Sequence, residues 1–302
     1  MQKLPSSFDL LNALTRRGSV RERRDIAYGA HPRQKFDLFL PAHANNKLAS
    51  RLPVVIFFYG GSWQMGDRAE YRFIGRLLAR QGYIAAIPDY RLYPEVRYPD
   101  FIEDAALATA KIAETIPAEG GDPSAIFTAG HSAGAYLALM LALAPHYLAA
   151  VGYDRSKLAG AIGLAGPYDF LPITGPIYKL IFATAPDLVR TQPIAHVDAR
   201  GDADVDPGAP PCLLLQGARD RLVAPKNTAS LSSLLRAAGT MVQSRIYPNI
   251  GHITILLALL PWLAWRAPVM ADINAFIEEV RTADPSLRAD PAHDLAGRAG
   301  SG

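Results

Sequence analysis

Ser132 lies at the centre of the sequence GHSAG (130–134), a Gly-x-Ser-x-Gly pattern that can carry nucleophilic chemistry. The apolar run SAIFTAGHS (124–132) ends at this serine. An apolar stretch with helical spacing begins directly after the serine. A tight turn from strand to helix holds a serine hydroxyl clear of a sheet, and small neighbouring residues leave room for that turn. The pattern therefore predicts that Ser132 is a nucleophile, with a helix-capping serine in a small-residue turn as the alternative.

Two further residues could activate this serine, because a hydroxyl is a weak nucleophile until a base removes its proton. His252 follows a predicted strand in YPNIGHI and precedes an apolar segment, so it is the candidate base. Asp220 follows another buried strand in LLLQGARDRLVAP and is the candidate for the acid that holds the imidazole in the required tautomer. Asp169, in GPYDF, also follows a strand and remains the alternative acid.

A second group of carboxylates, in GDADVDPG, has the alternating spacing of a calcium-binding loop. The aspartates of this group are Asp202, Asp204 and Asp206. However, Pro207 occupies the position of the turn glycine, and Leu213 stands where such a loop needs a bidentate glutamate. The segment is therefore predicted to be a solvated loop, and the sequence predicts no metal site.

Strand and helix patterns alternate along the chain around these residues. Continuous apolar runs such as LPVVIFFYG and PPCLLLQGA are typical of strands that are buried on both faces. Segments with helical spacing separate them, among them AEYRFIGRLLARQG and APKNTASLSSLLRAAG, which both end at glycine. This alternation predicts an α/β fold with a mostly parallel central sheet and helices on both faces.

The domain organisation predicted from these patterns is simple. Residues 20–283 are expected to form one domain, preceded by an N-terminal segment, 1–19. An insertion at about 167–209, rich in Pro, Gly and Asp, follows a strand and is where a small cap or lid is expected. The polar, small-residue tail 284–302 is expected to be disordered.

Composition excludes several functional classes. The formal net charge of +3 in 302 residues is too small and too dispersed for a nucleic-acid-binding protein. Cys212 is the single cysteine, which leaves no internal disulfide and no Cys-based metal site. The first residues lack the apolar stretch of a secretory signal, so a cytoplasmic location is expected.

The most apolar segment is ITILLALLPWLAW (253–265), directly after His252. It is too short to span a bilayer and contains Pro261, so no integral membrane span is expected. We predict a buried or site-lining helix here. An interfacial element that contacts lipid or a partner is the alternative.

Several motifs together resemble a known superfamily. The segments YGGSWQMGD, PDYRLYPE, GHSAGAYLA, GARDRLV and GHI occur in the order found in the esterase and lipase side of the α/β-hydrolases. The chain is most similar to the group whose oxyanion loop reads His-Gly-Gly-x-Trp, which includes carboxylesterases, feruloyl-esterase-like proteins and kynurenine formamidases. The order Ser132, Asp220, His252 also matches this superfamily. The resemblance implies the α/β-hydrolase fold and a Ser-His-Asp triad that needs neither metal nor cofactor.

The resemblance also implies how the negative charge of a tetrahedral intermediate would be stabilised. Backbone N–H groups held in advance of the reaction make up the oxyanion hole in such enzymes. By position, the donors implied here are the N–H groups of Gly61, Ser62 and Ala133.

One position departs from the family pattern, because Tyr59 stands where the oxyanion loop usually begins with His. Since the donors are backbone groups, the side chain at this position need not touch the oxyanion. A tyrosine can pack its ring and donate its hydroxyl. We therefore predict that Tyr59, together with Gly60 and Trp63, braces the loop.

These features predict a serine hydrolase that cleaves carboxylic esters through an acyl-enzyme intermediate. An arylformamidase or amide hydrolase of the same fold, and a non-catalytic binding protein on this fold, are the alternatives. The expected partner is a small-molecule ester, and a homodimer is possible. Apolar side chains predicted to line the substrate pocket are Phe170, Leu171, Ile177 and Trp262.

Overall fold

The computed structural model describes residues 7–15, 20–42, 51–197 and 208–283. The tail 284–302 and the three aspartates of the predicted loop, Asp202, Asp204 and Asp206, lie outside the described residues. Within the described ranges, eight strands form one sheet. The strands are β1 (Val20–Ala27), β2 (Lys35–Pro41), β3 (Leu52–Phe58), β4 (Ile84–Pro88), β5 (Gly121–His131), β6 (Leu158–Leu164), β7 (Cys212–Gly217) and β8 (Val242–Tyr247).

The strands lie in the order β1-β2-β4-β3-β5-β6-β7-β8. β2 pairs antiparallel with β1 and with β4, and the remaining pairs are parallel. A short turn can join β1 to β2 because antiparallel neighbours need no crossover, whereas each parallel pair is separated along the chain by helical segments. The mostly parallel sheet expected from the alternating pattern is confirmed.

Helices cover both faces of this sheet, as expected. The helices of the described residues are α1 (Ser7–Leu14), α2 (Arg72–Arg80), α3 (Asp100–Thr115), α4 (Ala133–Leu143), α5 (His146–Ala150), α6 (Pro176–Ile181), α7 (Lys226–Ala237), α8 (Thr254–Leu257) and α9 (Val269–Ala283). α9 packs on β6 and β7. Its Asn274 also accepts a hydrogen bond from Tyr83 and donates one to Gln81, which joins it to the end of α2. On the other face, α4 packs against α3.

The core is centred on α4 and the strands beneath it. α4 is apolar on every side, and all of its residues are buried against β3, β5 and β6. A helix with this composition is stable only when protein surrounds it, because no face of it suits water. The thiol of Cys212 is also fully buried, at the start of β7, and burial raises its pKa to about 12.

The apolar segment 253–265 differs from the buried or site-lining helix that we predicted. It consists of the short helix α8 and a separate 3₁₀ helix, Pro261–Arg266. Pro261 lacks the N–H that would extend α8, so the chain starts a new turn there. Ile253, Trp262 and Trp265 are exposed, although Ile255 and Leu256 are buried. None of the described helices combines the length and the apolar composition needed to cross a membrane.

Candidate active site

The predicted site residues follow four strands at the same edge of the sheet. The oxyanion loop follows β3, Ser132 follows β5, Asp220 follows β7 and His252 follows β8. These strands run parallel, so their carboxyl ends all reach this edge. Open α/β sheets bind their ligands at that edge.

Ser132 occupies the turn between β5 and α4, with φ 55° and ψ −122°. A positive φ is costly for a residue with a side chain, so the surrounding structure must impose it. Gly134 makes the turn possible, because a Cβ at this position would overlap the carbonyl group of Phe58 at the end of β3. The strand-to-helix turn predicted from GHSAG is therefore present, and the helix-capping alternative finds no side-chain cap hydrogen bond on Ser132.

A continuous chain of hydrogen bonds joins the three candidate residues. His252 Nε2 lies 2.9 Å from Ser132 Oγ, and His252 Nδ1 lies 2.7 Å from Asp220 Oδ2. A carboxylate at Nδ1 favours the tautomer with the proton on that nitrogen, which leaves Nε2 free to accept the serine proton.

Asp220 is held as a carboxylate by several donors. Its Oδ1 accepts hydrogen bonds from the backbone N–H groups of Leu222 at 2.9 Å and Val223 at 2.8 Å. Its Oδ2 accepts one from Gln216 Nε2 at 2.9 Å, in addition to His252. Burial alone raises the pKa of this carboxyl, but the hydrogen bonds from His252 and the backbone outweigh burial, so the pKa lies below its ordinary value. Asp169, the alternative acid, has no hydrogen bond to His252 among the described residues.

His131 contacts the loop that carries His252, and the sequence did not predict this contact. Its Nε2 donates to the His252 carbonyl oxygen at 2.9 Å, and the two rings lie 4.7 Å apart. The ring is fully buried, and burial together with the neighbouring His252 lowers its pKa to about 3. A neutral imidazole with its proton on Nε2 satisfies this contact. The only sequence signal was its place beside Ser132, since the contact spans 121 positions of the chain.

The loop after β3 has three consecutive residues with positive φ. φ is 140° at Gly61, 52° at Ser62 and 58° at Trp63, and the Gly61 carbonyl accepts the N–H groups of the two residues after Trp63. Among the described residues, no acceptor binds the N–H groups of Gly61, Ser62 or Ala133. Backbone donors without an acceptor beside a nucleophile are available to a developing oxyanion.

Gly60 and Tyr59 lie beneath this loop. A Cβ at Gly60 would press on His131 and on Ser132, so the loop approaches Ser132 closely. The Tyr59 hydroxyl donates to Asp89 Oδ1 at 2.8 Å and accepts from an Arg33 guanidinium nitrogen at 2.7 Å. Burial and the charge of Asp89 raise the pKa of Tyr59 well above its ordinary value, which keeps the hydroxyl protonated.

The Tyr59 ring is stacked between two other tyrosines. The ring centroids are 5.3 Å from Tyr71 and 4.9 Å from Tyr90. The Tyr90 hydroxyl also donates to the Tyr59 carbonyl oxygen at 2.9 Å. Asp89, which accepts the hydrogen bond from the Tyr59 hydroxyl, also forms an ion pair with Arg68. Tyr59 therefore makes contacts through its backbone carbonyl, its ring and its hydroxyl at the start of the loop.

A cavity of about 270 Å³ opens beside Ser132. Trp63 forms one wall and meets Tyr136, Tyr178 and Phe182 edge-on, at centroid distances of 5.1 to 6.2 Å. The insertion after β6 supplies further lining residues, and its Tyr178 hydroxyl lies 3.4 Å from Ser62 Oγ. Part of this insertion, 198–207, lies outside the described residues.

The four residues predicted for the pocket have different positions. Phe170 lines the cavity. Leu171 lines a separate apolar cavity of about 640 Å³, which shares Pro172 and Ile173 with the first. Ile177 packs against the core and Trp262 is exposed, so neither lines the cavity beside Ser132. The prediction was wrong for these three residues because apolar character alone does not determine which way a side chain in an irregular segment points.

Across the described ranges, His, Cys, Asp and Glu side chains form no group of three or more that could hold a metal ion.

Comparison with known proteins gives consistent matches. Residues 36–235 match the family described as BD-FAE. Among curated proteins, the chain is 32% identical over 253 residues to Esterase LipC of Mycobacterium tuberculosis, covering 80% of this chain and 61% of that protein. It is 29% identical over 252 residues to the isoprenylcysteine alpha-carbonyl methylesterase ICME of Arabidopsis thaliana, covering 79% and 58%. The chain thus spans about three fifths of the length of the curated relatives it matches.

Solved structures show the same fold. Esterase B from Lactobacillus rhamnosis superposes with a TM-score of 0.71 at 22% identity, covering 88% of each chain. Thermogutta terrifontis esterase 2, phosphoramylated by tabun, superposes with a TM-score of 0.69 at 22% identity, covering 86% of this chain and 94% of that one. The α/β-hydrolase fold expected from the sequence is therefore confirmed.

Proposed function

Because this chain belongs to the BD-FAE family, we propose that it is a serine hydrolase that cleaves carboxylic esters through an acyl-enzyme intermediate. The observation that carries the proposal is the chain of hydrogen bonds from Asp220 through His252 to Ser132, beside backbone donors without an acceptor. The names of the esterase relatives support the same reaction class. We assign the chemistry to one domain, residues 20–283, with the insertion at about 167–209 as a small cap.

In the acylation step, Ser132 Oγ attacks the ester carbonyl carbon while His252 Nε2 takes its proton. Asp220 keeps the imidazole oriented and stabilises the imidazolium that forms. The carbonyl oxygen becomes an oxyanion, which the N–H groups of Gly61, Ser62 and Ala133 would stabilise; a single donor of this kind contributes about 3 kcal/mol in a measured case. His252 then gives its proton to the departing alkoxide, and the alcohol leaves.

In the deacylation step, water takes the position of the alcohol. His252 removes a proton from water, which attacks the acyl carbonyl carbon, and the same donors hold the second oxyanion. When the tetrahedral intermediate collapses, the imidazolium returns its proton to Ser132 Oγ. The products are a carboxylic acid and the free enzyme, so no metal or cofactor takes part in the scheme.

The cavity beside Ser132 favours a small or slender group on one side of the ester. Its volume of about 270 Å³ is below the range of about 300 to 1,000 Å³ that is usual for drug-sized ligands. Trp63 and Phe170 give it apolar walls, so a short acyl chain or a methyl or aryl alcohol fits its chemistry. A formamide is a second candidate, because a kynurenine formamidase of Danio rerio is 29% identical over 150 residues, covering 49% of this chain and 47% of that protein.

The test is a hydrolysis panel of aryl esters of increasing acyl length together with an N-formyl arylamide. Ser132→Ala should lower kcat/KM by about 10⁴-fold or more, since the nucleophile is lost. Asp220→Asn should lower it by about 10⁴-fold, because the imidazole adopts the wrong tautomer. Asp169→Asn, at the alternative acid, is the matched control and should retain wild-type activity.

Three results would contradict this proposal. Activity in Ser132→Ala equal to the wild type would exclude Ser132 as the nucleophile. A larger loss in Asp169→Asn than in Asp220→Asn would reverse the assignment of the acid. A folded wild-type protein without activity on the whole panel would favour the non-catalytic binding protein considered above.

A further inference from the structure

The exposed apolar side chains of this protein concentrate at the edge of the sheet that carries the candidate active site. In the described residues, eleven large apolar side chains are exposed, and eight of them lie in segments that follow the carboxyl ends of β3, β6, β7 or β8. The eight are Met65, Leu180, Leu188, Val189, Leu222, Ile253, Trp262 and Trp265. Exposed apolar side chains gathered on one side of a molecule indicate an interaction surface.

Two tryptophans are the largest members of this group. Trp262 is 48% exposed and Trp265 is 78% exposed. They stand three positions apart in the 3₁₀ helix Pro261–Arg266, and side chains with this spacing lie on the same side of such a helix. Helical turns connect much of the chain between this helix and His252. At about 1.5 to 2 Å per residue, Trp262 lies about 15 to 20 Å along the chain from His252, and Trp265 about 20 to 26 Å.

Unpaired arginines accompany these apolar side chains. Arg219 and Arg221 flank Asp220, and Arg266 follows Trp265, with its guanidinium 5.5 Å from the centre of that ring. Among the described residues, none of the three forms an ion pair. The backbone N–H of Arg219 donates to the Ile250 carbonyl at 2.9 Å, which holds the loop after β7 against the loop that carries His252.

The same part of the chain lacks surface acid. Between positions 208 and 271 the only acidic residue is Asp220, and it is buried in the hydrogen-bond chain to His252. The segments that follow β7 and β8 therefore present positive charges and apolar rings. Neither segment has an exposed carboxylate of its own that would neutralise the positive charges. We name this the basic aromatic surface, defined by Arg219, Arg221, Leu222, Trp262, Trp265 and Arg266.

We propose that the basic aromatic surface binds an anionic lipid bilayer. Tryptophan rings favour the level of the lipid headgroups, and arginines near the bilayer are attracted by its negative surface potential. Leu222 belongs both to this surface and to the lining of the cavity beside Ser132, so binding would bring the mouth of that cavity to the bilayer. Face-to-face pairing of two copies is less favourable, because a two-fold axis would oppose the same arginines.

Co-sedimentation with vesicles tests the proposal independently of catalysis when it is done in Ser132→Ala protein. We expect binding to vesicles of phosphatidylglycerol and phosphatidylcholine, and little binding to phosphatidylcholine alone. Arg221→Gln with Arg266→Gln should weaken binding about 25-fold, since each arginine contributes about fivefold in affinity. Trp262→Ser with Trp265→Ser should weaken it about tenfold or more.

Matched controls come from other surfaces of the molecule. Leu14 in α1 is half-exposed, and Arg51 is exposed directly before β3, at the opposite edge of the sheet. Leu14→Ser and Arg51→Gln should bind vesicles as the parent does. Since Trp63 is buried, a blue shift of tryptophan emission on adding anionic vesicles reports the two exposed tryptophans.

The proposal is wrong if the parent does not bind anionic vesicles, or if it binds phosphatidylcholine equally well. It is also wrong if the surface variants and the controls lose binding to the same extent. Light scattering measures whether the protein forms a dimer. If it does, and if the double substitution Trp262→Ser with Trp265→Ser dissociates that dimer, a second copy covers this surface and the proposal is wrong. If the wild type proves to have no ester hydrolase activity, the vesicle-binding and light-scattering results still test the proposal in the same way.

Discussion

At the scale of single residues, Tyr59 stands where the family pattern has His, and its contacts show what this tyrosine binds at the start of the loop. The Tyr59 hydroxyl lies between Asp89 and Arg33, and its ring lies between those of Tyr71 and Tyr90. These contacts lie at the start of the loop, and none of them involves Ser132. The bracing role predicted for Tyr59 remains a prediction, and removal of the hydroxyl alone tests it.

Tyr59→Phe keeps the ring and leaves the buried Asp89 and the half-buried Arg33 with one partner fewer. An unsatisfied buried polar partner costs about 1 to 3 kcal/mol. We therefore expect the free energy of unfolding in urea to fall by this amount, while kcat changes less than about threefold because the backbone donors are kept. A loss of kcat beyond tenfold in a protein of unchanged stability would instead give the hydroxyl a direct part in catalysis.

At the scale of elements, the junction of β3, β5 and α4 determines the distance between Ser132 and the loop that follows β3. Gly134, in the first turn of α4, approaches the carbonyl group of Phe58, the last residue of β3. β3 continues directly into Tyr59 and the oxyanion loop. Any separation of α4 from β3 therefore moves the donors away from Ser132.

Gly134→Ala tests this junction, because the added methyl group overlaps the Phe58 carbonyl. We expect kcat/KM to fall by about 100-fold, the effect of a displacement of about 1 Å in an active site. Overpacking should also lower the free energy of unfolding by about 1 to 3 kcal/mol.

Gly152→Ala is the matched control for that substitution. Gly152 has a φ of 72° but open space around its Cβ position, so strain arises there without overlap. It should lower stability by about 1 kcal/mol and leave kcat/KM unchanged. Equal activity in the two variants would show that the close approach of α4 to β3 does not position the donors.

At the scale of the whole molecule, the buried His131 links folding to pH. Its folded pKa is about 3, whereas an imidazole in the unfolded chain titrates near its ordinary value of 6.5. Between these values the unfolded state binds more protons, so stability rises with pH and is lost as the pH falls from about 6.5 towards 3. Asp220, with its lowered pKa, acts in the same direction but only below the ordinary carboxyl range.

His131→Gln should reduce this pH dependence, since the amide retains a donor but does not titrate. In the wild type, the His131 contribution lost between pH 7 and pH 3 has an upper limit of about 5 kcal/mol, at about 1.4 kcal/mol for each pKa unit. Urea unfolding at pH 7 and pH 4.5 measures the difference. Identical pH slopes in variant and wild type would mean that His131 is protonated in the folded state.

The sequence was sufficient for the parts of the molecule that periodicity and local turns govern. The apolar runs predicted the central strands, and the small residues around Ser132 predicted the turn at the end of β5. Contacts between distant segments were different: nothing local indicated that His131 donates to the His252 carbonyl. The exposure of Trp262 was missed for a related reason, because the apolar segment divides at Pro261 and only part of it faces the core.

The burial of Cys212 has a practical consequence of another kind. Because it is the only cysteine and starts an interior strand, reagents that need a thiolate reach it only when β7 separates from its neighbours. The rate at which such a reagent labels the native protein therefore records how often β7 separates from β6 or from the edge strand β8. A new cysteine placed on the surface would in turn accept a spectroscopic label at that site alone, on a chain that needs no prior removal of its natural thiol.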